Sequence, residues 1–282
     1  MGKDNDVGKF WAIFFTASAV LAVALCWYAP DYGWWFPYYV AGKPSAQSTI
    51  GLQIDDLFHL ILVIVSVTFI GVNIALGYVL WKGAEAASEL GKKAQFTHGS
   101  HTLEVIWTIV PSGILLFIAL YQMDVWAFYR VKAFYPKKTE AIAEVTARQF
   151  EWRIRYPARG KKLQPKPQPD DIYTVNDLRV PTGVPVAISL RSDDVQHSFF
   201  VPVLRVKQDA VPKLVIPIWF EVLQPGSYDL VCAELCGWGH YKMKARVLAT
   251  SETEFEKWRE EAAADQFYDG VPAAEEVARQ SD

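Results

Sequence analysis

Three long uncharged apolar runs, Phe10–Ala29, Leu57–Trp81 and about Val105–Met123, dominate the amino-terminal part of this 282-residue chain. Crossing the hydrocarbon core of a bilayer takes about 20 residues of helix. Each run meets that length, and aromatic residues flank each one as an interfacial belt requires. Across the whole chain, 51% hydrophobic and 14% aromatic residues exceed what a soluble domain uses. Asn73 and Pro111 sit inside the second and third runs and are awkward against lipid, so both are expected to face a helix partner or a larger bundle.

The first run has two readings. It follows a short polar stretch with Lys3 and Lys9, as a signal peptide does, or it is retained as a membrane helix. Leu25 stands before Cys26 where lipoprotein processing takes a small residue, so the retained helix is the preferred reading. The chain therefore holds three transmembrane helices, or two plus a signal peptide. Lys82, Lys92 and Lys93 load the short segment between the second and third runs, against Lys43 alone before the second. The positive-inside rule then puts that segment and the amino terminus on the cytoplasmic side and everything after about Trp126 outside.

From Ala143 onward the pattern changes to short β-prone runs, among them Val184–Leu190, Leu214–Val222, Tyr228–Cys232 and Ala245–Leu248, divided by turn signals such as Pro225-Gly226. Pro217 marks its run as an edge strand. The fold class is α + β: amino-terminal transmembrane helices, then a β-sandwich or barrel. Boundaries fall at 1–30 for the first helix or signal segment, 31–128 for a helical hairpin with helices about 57–81 and 105–123, 129–250 for the β domain and 251–282 for an amphipathic helix and tail. Pro157–Asp171 reads as an exposed loop, and Glu252–Phe267 as a helix lying on the domain through Phe255 and Trp258. A net charge of −3, with no clustered excess of Lys and Arg, excludes a nucleic-acid partner.

The chemistry concentrates in Cys232-Ala-Glu-Leu-Cys236-Gly-Trp-Gly-His240-Tyr-Lys-Met243, with His197 upstream. Gly237 and Gly239 argue against a helix there, so the segment is a loop between two strands, and His197 occupies another. His197, Cys236, His240 and Met243 alone suit a mononuclear blue-copper site: two imidazoles, a thiolate and a weak thioether. Cys232 adds a second thiolate. Both sulfurs can then bridge two coppers, each with one histidine, leaving Met243 as weak ligand to one and the Glu234 carbonyl to the other. A Cys2His2 zinc site and a Cys232–Cys236 disulfide stay open, though zinc has no use for Met243.

This loop, with the upstream histidine, closely resembles the dinuclear copper (CuA) motif of cytochrome c oxidase subunit II. So do Leu103-Glu104-Val-Ile-Trp107-Thr-Ile-Val-Pro111, Lys207-Gln-Asp209-Ala-Val-Pro212 and Phe255-Glu-Lys-Trp258. The resemblance implies a membrane hairpin carrying a cupredoxin-like domain that takes electrons from cytochrome c or a similar donor and passes them to haem in subunit I. Oxygen reduction there would be coupled to proton translocation. It implies His197, Cys232, Glu234, Cys236, His240 and Met243 as CuA ligands, the Glu234 side chain as ligand of a magnesium ion at the subunit I interface, and Glu104 at the entrance of a proton path. The implied location is a bacterial plasma membrane or mitochondrial inner membrane, with lipid and other oxidase subunits as neighbours and the copper domain on the periplasmic or intermembrane side.

Three positions depart from the family pattern. Gln149-Phe150 stands where relatives carry Gln-Trp at the electron-entry position, leaving Phe150, or Trp152 on the same face of a strand, as entry candidates. Lys213-Leu214 replaces Gly-Arg after Pro212, and the first helix is additional to the usual two. Asp170, Asp171, Asp193 and Asp194 are candidates for steering a basic donor. Two other functions compete: a copperless quinol oxidase subunit, against which the full ligand set speaks, and a copper subunit of a nitric-oxide or nitrous-oxide reductase. The chain has five histidines and no Cys-x-x-Cys-His, so any oxygen chemistry belongs to a partner.

Overall fold

A computed structural model of the chain describes residues 2–32, 39–40, 43–44, 46–90, 98–137 and 139–265. Lys92, Lys93, Phe267 and the tail after Asp265, which figure in the expectations above, lie outside the described residues. The chain forms two compact units, Met1–Ser45 with Asp55–Met123 and Ala46–Ile54 with Asp124–Asp282.

The first unit holds α1 (Gly2–Tyr28), a two-stranded ribbon of β1 (Tyr39–Val40) and β2 (Lys43–Pro44), α2 (Thr49–Leu90) and α3 (His101–Tyr121). The first residues of α2 belong to the second unit. Segments Asp6–Tyr28, Thr49–Ala86 and His101–Arg130 are each long and apolar enough to cross a membrane, so all three helices expected from the sequence form. Small residues let α1 and α2 approach closely: a Cβ on Gly8 would lie 2.6 Å from that of Ala84, and Gly77 abuts Thr16. Ala12 and Ala19 are buried on the same seam. α3 buries none of its residues. Asn73 needs no helix partner to satisfy its amide, which donates to the Phe69 carbonyl one turn back at 2.9 Å.

The second unit continues with α4 (Met123–Arg130) and ten strands: β3 (Glu140–Arg148), β4 (Glu151–Tyr156), β5 (Ile172–Val175), β6 (Asp177–Pro181), β7 (Val186–Ser192), β8 (His197–Val201), β9 (Val206–Ala210), β10 (Ile216–Phe220), β11 (Gly226–Cys232) and β12 (Lys244–Thr250). They form two five-stranded sheets, ordered β10-β7-β3-β4-β5 and β6-β12-β11-β8-β9. Two pairings, β3 with β7 and β12 with β6, are parallel. Trp152, Ile154, Leu178, Phe199, Leu230 and Val247 fill the core. β10 is an edge strand, which accommodates Pro217.

The last described element, α5 (Glu252–Asp265), begins on a reciprocal cap. The Glu254 amide donates to Ser251 Oγ at 3.3 Å while the Glu254 carboxylate accepts from the Ser251 amide at 3.1 Å. Phe255 is buried and Trp258 packs edge-on to Tyr156 at 5.1 Å, which seats the helix on the sandwich. The irregular segment between β4 and β5 is tied down by buried Arg155, which donates to Asp171 at 2.6 Å, Glu144 at 3.2 Å and the Gln164 carbonyl at 2.9 Å.

Candidate metal centre

β11 ends on Cys232 and its neighbour β8 opens on His197, with Cys232 opposite Phe199 in register. Sheet pairing thus brings a residue of the downstream loop against one 35 positions earlier. The loop closes on itself through the Cys232 amide, which donates to the Met243 carbonyl at 3.1 Å, and is tied to β8 by the Ala233 amide donating to Ser198 at 3.0 Å. Strand β9 flanks the other side, Ala210 opposite His197.

All six expected donors meet. Cys232 Sγ lies 3.9 Å from His197 Nδ1, 3.9 Å from Cys236 Sγ and 3.2 Å from the Glu234 carbonyl oxygen. Cys236 Sγ lies 3.7 Å from His240 Nδ1 and 3.8 Å from Met243 Sδ. The set divides into matching halves: each sulfur has one imidazole nitrogen and one weak donor beside it. A disulfide would need the sulfurs about 2.05 Å apart. At 3.9 Å they are not bonded, and metal–thiolate bonds of about 2.3 Å reach both sulfurs from a point between them. His197, Cys232, Cys236 and Met243 are buried. Two thiolates, two imidazoles and a thioether form a soft set suited to copper.

Asp194 governs the His197 ring. Its Oδ1 is 2.8 Å from Nε2, so the imidazole donates there and turns Nδ1 toward the sulfurs. Asp194 also accepts from the Gln149 and Val195 amides at 2.8 and 2.6 Å. Burial works against its carboxylate, yet these hydrogen bonds hold it below the usual range. The two thiols behave oppositely. Burial opposes ionisation of both, but His197 and backbone hydrogen bonds at Glu234 and Ser198 bring Cys232 down to about 6. Cys236 is pushed up to about 11 by burial and by its neighbour Cys232. The pair yields its first proton easily and holds its second, which a bound cation would displace.

The electron-entry candidates separate. Phe150 lies in the turn between β3 and β4 rather than in a strand, so the two-residue period that would put it on one face with Trp152 does not apply. Its ring packs edge-on to Trp238 at 5.0 Å. A Cβ on Gly239 would fall 2.5 Å from that ring, and Gly237, at φ +138°, would meet the Gln149 amide at 2.8 Å. Both glycines are therefore required by close approach of the β3–β4 turn, and Gln149 Nε2 donates to the Cys236 carbonyl at 2.5 Å. Trp152 is fully buried, 6.4 Å from the His197 ring and 5.8 Å from Phe199. Glu104 is exposed on the first turn of α3, in the first unit. Lys213 adopts φ +68°, the conformation that explains a glycine in the family pattern at this place.

Comparison with known proteins agrees in both units. Residues 38–125 match the family model for the transmembrane domain of cytochrome c oxidase subunit II, and residues 162–250 match that for its periplasmic domain. The chain is similar to the alternative cytochrome c oxidase subunit 2 of Bradyrhizobium diazoefficiens, 29% identical over 81% of this chain and 83% of that protein. It is 30% identical to cytochrome c oxidase subunit 2 of Cereibacter sphaeroides, over 78% and 79%. With the protein of that name from Oenothera berteroana it shares 33% identity, over 87% and 94%.

Proposed function

The chain belongs to the cytochrome c oxidase subunit II family, and on that footing we propose that it is the electron-entry subunit of its haem-copper oxidase, with His197, Cys232, Cys236, His240, Met243 and the Glu234 carbonyl holding a dinuclear copper centre. The observation that carries this reading is the division of the donors into two halves about the sulfur pair, one imidazole and one weak ligand to each. A mononuclear site would leave Cys232 without a task.

A copper pair bound there supplies a store for one electron. The residues supply the rest. Asp194 keeps His197 in one tautomer, and the backbone closure between Cys232 and Met243 fixes the loop, so the donors stand in place before and after an electron arrives. Burial of both cysteines, His197 and Met243 keeps water from the sulfurs. The side chain of Glu234, a half-buried residue whose carbonyl faces Cys232, is a proposed ligand of a magnesium ion shared with subunit I. Glu104, on the first turn of α3, is the proposed entrance of a proton path on the inner side. The copper domain lies on the outer face of the membrane in this reading, donor electrons enter there from cytochrome c, and oxygen is reduced in subunit I.

Metal analysis of the full chain refolded with copper tests the assignment. Wild type should bind two coppers per chain; Cys232→Ser should bind about one, or none. Retention of two coppers in that variant, or preferential loading with zinc in wild type, would contradict it.

A further inference from the structure

The loop that gathers the proposed ligands also carries the three most exposed large apolar side chains among the described residues. Leu235 and Trp238 are 77% exposed and Tyr241 is 76%, against at most 70% for any other. Even the side chains of the membrane helices are better covered. Trp238 stands out because its ring is exposed and yet held: Phe150 packs edge-on at 5.0 Å and Lys242 Nζ lies 4.5 Å from the ring centre. It sits two residues from Cys236 and two from His240. Neither entry candidate from the sequence presents a ring this way, Phe150 being half-buried and Trp152 sealed in the core.

We propose that Trp238 is the residue through which a one-electron donor protein delivers its electron to the Cys232–Cys236 centre, and that Phe150 positions it. The proposal rests on the copper reading above. One electron leaves the donor and one arrives at the centre; Trp238 forms no bond, and no proton moves. The donor meets it through apolar contact rather than through the acids expected to steer a basic protein, because most of those acids are engaged within the chain. Asp171 is buried against Arg155, Asp170 pairs with Lys161, and Asp194 is turned in to His197. Among the described residues, the charge that lies over the Trp238 ring is a lysine. A donor whose redox group reaches the surface through an apolar edge fits this face.

The test uses the solubilised oxidase complex, ferrous mono-haem cytochrome c as donor probe and a small diffusible reductant as control. W238A should keep the copper resonance spectrum and be reduced by the small reductant within about twofold of wild type. Its affinity for cytochrome c and its rate of reduction by that donor should each fall about tenfold. W238F should recover most of both, and raising the salt should change wild-type binding little. Should W238A lose copper, W238L takes its place. An intact copper spectrum with wild-type affinity and reduction by cytochrome c in the Trp238 variants would overturn the proposal alone. A wild-type chain without the two-copper spectrum would instead overturn the reading on which it rests.

Discussion

Leu116 and Phe117 on α3 lie on the outer surface of the first unit, whereas Phe199 and Leu230 in the second unit are sealed between two sheets. The residue types are the same and the solvents differ. In the first unit an exposed leucine is at home because hydrocarbon covers it; in the second it must be buried to stabilise anything. The copper loop departs furthest from this rule within the second unit, since Leu235, Trp238 and Tyr241 are more exposed than its other outward-facing apolar side chains, such as Phe134 and Val215. In the reading proposed above, apolar exposure has two causes in this chain, lipid and a donor protein, and only the second requires a held geometry around a redox centre.

Trimming one phenyl ring in each unit should separate the two most strongly. Phe199→Ala should cost about 3–5 kcal/mol, because the core cannot collapse around the cavity. Phe117→Ala should cost less than about 0.5 kcal/mol in detergent. Urea unfolding of the solubilised chain measures both, and similar losses would show that α3 is packed in a way its exposure denies. A charge should discriminate in the opposite sense. Leu116→Arg should weaken membrane insertion by about 3 kcal/mol, while Val175→Arg, at an exposed strand position, should move the stability of the second unit by no more than about 0.5 kcal/mol. Equal effects in an insertion assay and an unfolding titration would remove the distinction between the two solvents.

Two smaller substitutions sharpen what is special about the copper end. Gly239→Ala places a methyl group 2.5 Å from the Phe150 ring. It should cost about 1–3 kcal/mol and perturb the copper absorption bands, because the ring or the loop must move; an unchanged spectrum would mean the turn gives way freely. Lys213→Gly should stabilise the domain by about 1 kcal/mol, since φ +68° is strained for any side chain. A loss in thermal melting temperature would mean that the lysine side chain contributes more than its backbone costs.

Much of this was legible in the sequence because it is local. The three apolar runs name themselves by length, the β domain by its turn signals, and the donor loop by a spacing that few functions other than metal binding would require. Ser251 and Glu254 announce the start of α5 in the same way. What was not legible depends on pairings between distant segments. The parallel alignments of β3 with β7 and β12 with β6 have no local signature. Phe150 looked like a strand residue because β3 and β4 abut so closely that the turn is two residues long. Gln149 reaches the Cys236 carbonyl across 87 positions, which no pattern predicts. Asp194, three residues before His197, is the exception: an acid so placed beside a candidate ligand is a recognisable orienting group, and its engagement is also why it is poorly free to steer a donor. The exposure of Trp238 could not be read at all, since an aromatic residue in a ligand loop is as often buried.

In the proposed centre two sulfurs, each with its own histidine, hold two coppers as one electronic unit. Electron paramagnetic resonance of the copper-loaded full chain tests it directly. The expected spectrum shows hyperfine splitting from a single unpaired electron shared equally by two copper nuclei, replaced in Cys232→Ser by the pattern of one nucleus. A wild-type spectrum with the electron on one copper alone would contradict it.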